Sequence, residues 1–543
     1  MKKTIIGASI GNCVHVAGVA HFLDLARQEG YKADFLGPAV SVKKLFDHLE
    51  KQSYDIVAIS YRLTPDNVKI LLEEVFDKAK NLPYQPQWVF GGTKPVSDIA
   101  RNYPFSFVSD GYDDVIDSIR YLRGYSEEEG ANEYKDNIID RINCSYPYPV
   151  LRHHYGEPSL GNTLKGVKEI ADAKILDVIS LGPDQNAQEY FFRPKKMPKG
   201  FDGAGGVPIR SKEDLFALKA ASQTGNYPLM RCYSGTADVF QYAELLSDTI
   251  QNAWTAIPLC WYNELDGRGS RTIEESVKEA QDLIRWHVER KIPVEINEPH
   301  HWAMRDAHDT ITVAMAYISA YNAKRLGVKE YIAQYMFNVP SGLSFSMDLA
   351  RVLAMIEMVE SLHDETFQTY RETRAGLPLF VADENVAKGQ LAASTLMQME
   401  VKPHIMHVVA YCEANHAATP QEVIESCKIV KGVIRHTLND SFSVKKDPAI
   451  MNRKDELMRE AKVLLDFIKN EYSEYEDPLA NAEVIADCVK RGILDATHIL
   501  KNEKFRGNLQ TRVIDGKCMA YDLEKNQVLT EQQRLMKIVE RRK

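Results

Sequence analysis

The chain has 543 residues, 44% of them hydrophobic and 26% charged, a composition typical of a globular protein with more than one domain. Its formal net charge of −9 argues against a nucleic-acid-binding surface, and no block of Lys and Arg indicates an anionic membrane partner. The eight cysteines are scattered without a CxxC pair, so neither a zinc knuckle nor an iron–sulfur cluster is indicated.

The amino-terminal segment does not have the pattern of a signal peptide. Its basic start is followed by an apolar run that is too short and that leads into a helical pattern containing His15 and Asp24. No stretch reaches the length of a transmembrane helix. We therefore expect a cytoplasmic protein with reduced thiols.

Residues 1–124 alternate apolar runs with amphipathic helical patterns, which predicts a parallel, doubly wound sheet of five strands. The expected strands are 4–10, 33–37, 55–63, 87–92 and 105–111, and the expected helices are 15–29, 41–52, 66–81, 95–102 and 112–123. Ligands of such sheets bind beyond the carboxyl ends of the strands, so the residues that follow each strand are candidate site residues.

The loop after the first strand carries an imidazole where a nucleotide-binding protein would have a phosphate loop. The glycines of "GASIGN" have the wrong spacing for GxGxxG, and His15 would occupy the place of the pyrophosphate. Imidazole is a common ligand of transition metals. Gly18 lies one helical turn further on, and Gly91 and Gly92 end the fourth strand, so all three would leave room for a bulky group.

Three motifs together resemble the cobalamin-binding domain of the base-off, His-on type: "CVHVAG" (13–18), "SYRL" (60–63) and "FGGT" (90–93). The resemblance implies that His15 is the lower axial ligand of cobalt and that the displaced base runs into the sheet between the second and third motifs. It assigns cofactor binding to Cys13, Gly18, Ser60, Leu63, Gly91, Gly92, Thr93 and Gly111.

One position departs from that family. Cys13 stands where the family has an aspartate that orients the ligand histidine. A thiol is a weak hydrogen-bond partner, so His15 would be held more loosely or oriented by another group such as Asn12. The alternative interpretation is a flavodoxin-like interaction domain in which His15 caps a helix.

Residues 125–160 are acidic and rich in Tyr and Pro, so we expect a linker, with His153 and His154 at the surface. From 161 to 450 strands and helices alternate in a way that predicts a (β/α)8 TIM barrel. The expected strands are 175–182, 228–235, 256–263, 293–299, 331–338, 378–383 and 404–411.

Polar and aromatic residues gather at the expected carboxyl ends of the barrel strands, where TIM-barrel active sites form. They are Arg231, Tyr233, Tyr262, Glu264, Glu298, His300, His301, Trp302, Tyr335, Glu413 and His416. "EPHH" (298–301) is a weak zinc candidate, because adjacent histidines at a strand end point apart. The glycine-rich segment 199–211 is interpreted as a mobile loop rather than a phosphate cradle.

Residues 451–543 are expected to form a small, helical carboxyl-terminal lobe. Together with the barrel they resemble the large subunit of glutamate mutase (methylaspartate mutase), through "RCYSGT", "INEP", "LGVKEYIAQY" and the "GILDA" tail. The candidate catalytic residues are Arg231, as a carboxylate clamp, with Tyr335, Glu298 and His301. Arg325 falls where that enzyme has a substrate-binding glutamate, so L-glutamate itself is not the expected substrate.

These features predict an adenosylcobalamin-dependent isomerase, a carbon-skeleton mutase acting on a small carboxylic or amino acid, with the cofactor between the two domains. A corrinoid methyltransferase and a non-catalytic cobalamin carrier or sensor are the alternatives. A radical-SAM enzyme lacks support because the cysteine triplet is missing. We expect no nucleic-acid or membrane partner, and a homodimer is compatible with the sequence.

Overall fold

A computed structural model describes residues 3–111, 115–124, 134–233, 235, 237–438, 443–501, 503–505 and 509–540. The chain forms two compact units, Met1–Glu133 and Tyr134–Lys543. No helix among the described residues is both long and apolar enough to cross a bilayer.

The first unit is a five-stranded parallel sheet with helices between its strands. Its strands are β1 (Thr4–Ile10), β2 (Lys32–Val40), β3 (Ile56–Tyr61), β4 (Gln87–Gly92) and β5 (Phe107–Ser109). Its helices are α1 (Ala17–Gln28), α2 (Val42–Leu49), α3 (Pro65–Ala79), α4 (Lys94–Ala100) and α5 (Val115–Leu122). The strand order β2-β1-β3-β4-β5 is that of flavodoxin-like folds and confirms the predicted class.

Local sequence explains where these elements begin. β3 is buried along its whole length, as expected for a central strand covered on both faces. Ser41 caps α2 by accepting a hydrogen bond from the Lys44 amide at 3.2 Å, and Pro65 opens α3, where its missing amide proton is not needed. Residues 112–114 of the last predicted helix lie outside the described residues.

The second unit is built around eight parallel strands arranged in sequential order. They are β6 (Val150–Tyr155), β7 (Val178–Leu181), β8 (Leu229–Arg231), β9 (Thr255–Ile257), β10 (Val294–Ile296), β11 (Glu330–Phe337), β12 (Gln368–Ala375) and β13 (Ile405–His407). At the seam between β8 and β9, the Ala253 amide donates to Met230 O at 3.0 Å. The Asn252 side chain pairs with both backbone groups of Cys232. This is the predicted (β/α)8 barrel.

Helices surround this barrel and continue into the carboxyl-terminal region. They are α6 (Ile138–Ser145), α7 (Leu160–Asp172), α8 (Gln185–Tyr190), α9 (Lys212–Ala221), α10 (Val239–Ile250), α11 (Ile273–Glu289), α12 (Glu298–Ala303), α13 (Asp309–Arg325), α14 (Phe345–Glu360), α15 (Glu384–Met399), α16 (Pro420–Leu438), α17 (Pro448–Glu471), α18 (Ala482–Lys490) and α19 (Glu531–Glu540). An antiparallel sheet of β14 (Thr511–Ile514), β15 (Lys517–Asp522) and β16 (Gln527–Val528) lies between the last two helices in sequence.

Two barrel strands were not predicted. β6 lies inside 125–160, which was expected to be a linker, and β12 precedes 378–383, where a strand was expected and none forms. Both strands carry charged or imidazole side chains at positions that face the barrel interior, so their sequences lack the apolar runs of buried strands. The other six predicted strands overlap observed ones.

The amino-terminal end of the barrel is closed by an apolar plug. Ile138 and Ile142 of α6 pack with inward-facing residues of the strands, among them Val150, Val178 and Ile332. The opposite, carboxyl-terminal end is therefore where a ligand can enter, as in other TIM barrels.

The region expected as a separate lobe packs against the barrel helices. α17 contacts α13 and α14, and its Arg453 donates to Asp309 at 2.8 Å. In α19 the buried Glu531 accepts from Arg534 and lies 2.9 Å from His308 Nε2. Residues 451–540 thus belong to the same compact unit as the barrel.

The glycine-rich segment 199–211, expected as a mobile loop, is held in place. Arg210 donates to both carboxylate oxygens of the buried Asp184, and Val207 pairs with Pro183 in an isolated parallel bridge. A Cβ at Gly206 would lie 1.9 Å from Gly182 O, so this glycine permits close backbone packing.

Candidate functional site

His15 lies on the exposed loop between β1 and α1, at the carboxyl edge of the first unit's sheet. Its Nδ1 is 3.7 Å from the buried Sγ of Cys13. Among the described residues nothing pairs with its Nε2. Val16, not His15, is the residue at the cap of α1, so the helix-capping interpretation is wrong. The imidazole is available to a ligand through Nε2.

A row of small residues crosses the same edge of the sheet. The strand register places Ser9 beside Ser60, Ser60 beside Gly91, and Gly91 beside Ser109. Ser60 Oγ is buried, and no described residue forms a hydrogen bond with it. A buried hydroxyl without a partner is costly, which is typical of a site awaiting a polar ligand group.

Glycines leave open space on either side of this row. A Cβ added at Gly18 or at Gly91 would meet no atom within 4 Å. Gly92 differs, because its Cβ would lie 2.6 Å from Val96 Cγ2 and 2.8 Å from Tyr61 O. Gly92 therefore serves packing, which corrects the expectation that both glycines make room for a ligand.

Three further residues that were predicted to bind the cofactor follow the strands at this edge of the sheet. Leu63 is partly exposed on the loop after β3, and Thr93 is half-buried at the start of α4 without a side-chain capping bond. Gly111 adopts φ +83°, a left-handed conformation that favours glycine. On the loop after β1, Val14 is 64% exposed, so an apolar group would find hydrophobic contact beside His15.

The interior of the barrel in the second unit holds a buried network of opposite charges. Arg152 donates to Glu372 at 2.6 Å, and Arg231 donates to Glu295 at 2.7 Å. Gln334 joins the two carboxylates by donating to Glu295 at 3.1 Å and to Glu372 at 3.3 Å. Burial lowers the pKa of Arg152 to about 10, and the charge of Glu372 opposes this change.

Arg231 is therefore engaged by the protein itself. Besides its ion pair with Glu295, its guanidinium lies 4.6 Å from the ring centroid of Trp254, whose Nε1 donates to the same carboxylate at 2.9 Å. A carboxylate clamp needs a guanidinium whose donors face the ligand. Arg231 Nε has no partner among the described residues, so the clamp role of Arg231 stays a prediction beside this ion pair.

Two further candidate catalytic residues, Glu298 and Tyr335, are also buried within the protein. Glu298 accepts hydrogen bonds from the amides of Leu259 and Cys260 and from Trp302 Nε1, so it joins the β9 loop to α12. Gln334 faces the barrel interior, and strand alternation turns the neighbouring Tyr335 outward into the apolar layer between strands and helices. Both side chains are buried, and their catalytic roles stay predictions.

Four histidines lie at the carboxyl end of the barrel: His154, His300, His301 and His407. Burial, followed by nearby positive charges, lowers the pKa of each well below 6.5. All four are therefore neutral at pH 7.

His300 and His301 are not at a strand end with opposed rings, as predicted, but within α12, with ring centroids 4.4 Å apart. Neither nitrogen of His301 has a partner. Among the described residues, His301 thus offers two unpartnered ring nitrogens, while Arg231 Nε and the Tyr335 hydroxyl are also buried without a partner. His301 packs between Trp261 and Tyr262, with ring centroids 6.2 and 5.5 Å away.

Arg374 is the charged group that sequence reasoning missed. It faces the barrel interior one step above Glu372 on β12, and the register places it beside His407 of β13. Its Nε is buried without a partner. Within the described part of the chain, no hydrogen bond or ion pair to this guanidinium is found.

Burial lowers the pKa of Arg374, and the charges of Glu413 and then Glu372 oppose this change most. Its own charge in turn lowers the pKa of His154, His300, His301 and His407. The barrel mouth thus combines one unpaired guanidinium with neutral imidazoles. This set can receive a small anion and hydrogen-bond its other polar groups.

The four histidines do not form a ready metal centre. Among the described residues, the ligand atoms of one group of three or more His, Cys, Asp or Glu side chains lie within 4.8 Å of one another, and that group is Cys412, His416 and Glu422. The predicted "EPHH" segment is not part of it.

Comparisons with known proteins returned only distant structural similarities. No protein-family profile matches the chain, and no curated protein matches it in sequence. A cobalamin-binding protein of Desulfitobacterium hafniense DCB-2 is 20% identical over 22% of this chain and 56% of its own, with a TM-score of 0.19. The cobalamin-dependent S-adenosylmethionine radical enzyme OxsB, with aqua-cobalamin and S-adenosylmethionine bound, is 12% identical over 80% of this chain and 56% of its own, with a TM-score of 0.18. The chain thus spans about half the length of these proteins. Because these similarities are weak, the function has to be inferred from the geometry of the chain itself.

Proposed function

We propose that this protein is a cobalamin-dependent enzyme whose first unit binds the corrinoid and whose barrel binds a small carboxylic or amino acid. The observation that carries the proposal is the edge of the first sheet. There an exposed imidazole, a buried hydroxyl without a partner, and two glycines beside open space follow successive strands.

The residues present agree with what a base-off corrinoid needs. His15 Nε2 would be the lower axial ligand, since imidazole nitrogen is a good ligand for cobalt. Gly18 leaves the start of α1 bare for the macrocycle, and the row from Ser60 to Gly91 admits its displaced base. Ser60 Oγ would donate to a nitrogen or oxygen of that tail.

Cys13 is the group that orients His15 in place of the family's aspartate. Its Sγ lies 3.7 Å from Nδ1, within reach of a weak sulfur hydrogen bond that leaves Nε2 for the metal. We expect a less basic axial imidazole than one backed by a carboxylate, because no negative charge supports the ring.

The proposed reaction is the isomerisation of a carbon skeleton. Bound adenosylcobalamin supplies radical chemistry by homolysis of its cobalt–carbon bond. Such an isomerisation would consume no net oxidant or reductant. The chain holds the substrate carboxylate at Arg374, and His301 hydrogen-bonds a second polar group. The apolar plug below the charged network keeps water from the far end of the barrel.

The test is an absorption titration of the full-length apoprotein with adenosylcobalamin and with methylcobalamin. We expect a base-off, His-on spectrum and a loss of at least tenfold in affinity in His15→Ala. The matched control is His48→Ala, since His48 lies in the same unit but contacts Tyr54 at 3.1 Å, away from this edge. Absence of corrinoid binding, or equal affinity in both variants, would overturn the proposal.

Catalysis is tested separately. Electron paramagnetic resonance of the adenosylcobalamin complex during a screen of small carboxylic and amino acids should reveal paired radical signals with one class of substrate. If corrinoid binds and no acid gives a radical, the protein is a carrier or sensor rather than a mutase.

A further inference from the structure

A second cluster of ligand-type side chains follows β13, and the proposed function uses none of its three members. The chain turns at residues 412–416, where the Asn415 and His416 amides donate to Cys412 O at 2.8 and 3.0 Å. This single helical turn places the Cys412 thiol and the His416 imidazole on the same side of the backbone.

Glu422 is brought to the same place by the first turn of α16. The amide and the hydroxyl of Thr419 both donate to its Oε2 at 2.8 Å, which fixes the carboxylate. Its Oε1 lies 2.8 Å from His416 Nε2. One sulfur, one nitrogen and one oxygen atom thus lie within 4.8 Å of one another.

The donor set has the chemistry of a zinc site. Thiolate, imidazole and carboxylate are the three ligand types that Zn²⁺ takes, and three protein ligands leave the fourth tetrahedral position open. Hard cations such as Mg²⁺ prefer oxygen ligands alone, so the sulfur atom disfavours them. His416 is exposed, which gives an ion access from solvent, while Cys412 is buried beneath it.

We propose that Cys412, His416 and Glu422 bind one Zn²⁺ ion. Binding replaces the contact between His416 and Glu422 and releases the proton of the Cys412 thiol, which becomes the sulfur ligand. The inference is independent of corrinoid binding, since none of its ligands belongs to the first unit.

The test uses Co²⁺ as a spectroscopic probe of the site. The full-length protein, purified without corrinoid and treated with a chelator, is titrated with cobalt chloride. We expect one equivalent to bind, with a thiolate charge-transfer band in the near ultraviolet and visible bands of tetrahedral Co²⁺, and we expect Zn²⁺ to abolish both.

Variants assign the ligands. Cys412→Ser should remove the charge-transfer band, and His416→Ala and Glu422→Gln should each weaken Co²⁺ binding at least tenfold. Glu422→Gln keeps an oxygen that can accept from Thr419, so α16 retains its cap. The control is Cys144→Ser, a half-buried thiol on α6 at the other end of the barrel, which should leave the titration unchanged.

A measurement on the wild-type chain tests the site without depending on whether the variants fold. Zn²⁺ should protect Cys412, and none of the other seven cysteines, from alkylation followed by mass spectrometry. Binding weaker than millimolar, or a charge-transfer band that survives Cys412→Ser, would overturn the proposal, as would protection of a different cysteine.

Discussion

Arg374 is a half-buried guanidinium without a hydrogen-bonding carboxylate among the described residues, and such a group is expensive to keep unless a ligand uses it. Arg152 and Arg231 show the contrast, because each has a glutamate within 2.7 Å. We infer that the chain leaves the counter-charge of Arg374 to its substrate. An unpaired guanidinium at this position is what the proposed binding of a substrate carboxylate requires.

The first prediction is that Arg374→Gln loses anion binding without losing stability. A charged hydrogen bond contributes about 1.5 to 3 kcal/mol, which is roughly 10- to 150-fold in Kd. The measurement is the rise in Tm caused by dicarboxylates from malonate to adipate and by the corresponding α-amino acids. Removing an unpaired, half-buried charge should leave the free energy of unfolding unchanged or higher.

Arg371→Gln is the matched control for that variant. Arg371 lies on the same strand but pairs with Glu360 at 2.6 and 3.0 Å on the outer face. This variant should lose stability and keep the thermal protection by acids. If Arg374→Gln is protected as well as the wild type, the barrel mouth does not use this guanidinium.

The second prediction concerns the neutral histidines of the mouth. Their pKa values in the folded protein are below 6.5, so between those values and pH 6.5 the unfolded chain binds more protons. The free energy of unfolding should therefore fall as the pH drops below 6.5, by about 1.4 kcal/mol per pH unit for each histidine. Urea unfolding from pH 7.5 to 5.5 should give a shallower dependence for the double variant His300→Gln/His301→Gln. Superimposable curves would contradict this account.

Among the elements, β12 shows both what sequence patterns predict and where they fail. Strands with apolar runs, such as β3 and β11, are predictable because burial on both faces selects Val, Ile and aromatic residues. The sequence of β12 is "QTYRETRA". Its Glu372 and Arg374 face the barrel interior, where polar and charged side chains of different strands lie close together. These contacts between strands form only in the closed barrel, so the sequence of one strand does not predict them.

The same dependence on distant parts of the chain explains which residues of the candidate site could be predicted and which could not. His15 and Gly91 could be predicted because they follow clear strands, and parallel strands bring their carboxyl ends to one edge. Arg231 was given a substrate role because its partner Glu295 is 64 positions away. Arg374 was missed because its strand was placed a few residues too late.

The third prediction tests the charged interior as a structural element. Glu372→Gln leaves Arg152 without its carboxylate, which should lower the free energy of unfolding by about 3 to 5 kcal/mol. The double variant Arg152→Leu/Glu372→Leu should recover most of that loss, since replacing a whole buried pair by apolar groups is often neutral. Urea denaturation followed by circular dichroism measures both. A double variant no more stable than the single one would show that Gln334 and Ser180 need the charges too.

At the scale of the whole molecule, the carboxyl-terminal helix secures the second unit through one buried carboxylate. Glu531 pairs with Arg534 and His308, and Arg534 also donates to the carbonyls of Gly492 and Ile493. Burial opposes ionisation of Glu531, but Arg534 and His308 prevail and lower its pKa to about 2. Distant parts of the chain thus depend on a residue 12 positions before its last residue.

The fourth prediction follows from that pKa. A carboxylate whose pKa falls from 4.5 to about 2 on folding stabilises the protein above pH 4.5, on the order of 3 kcal/mol. This contribution is lost as the pH falls from 4.5 through 2. Glu531→Gln should therefore be less stable than the wild type at pH 7, and the difference should shrink on acidification. Equal stabilities at pH 7 would contradict the role of this ion pair.

Electron paramagnetic resonance of the cob(II)alamin complex tests most directly whether His15 binds cobalt. In protein labelled with ¹⁵N-histidine, the axial nitrogen should split each cobalt line into a doublet, because ¹⁵N has nuclear spin one half. Unlabelled protein should give a triplet, and His15→Ala should give no doublet even when labelled. A triplet that persists in the labelled wild type would show that the corrinoid keeps its own base, and the account of this site would then be wrong.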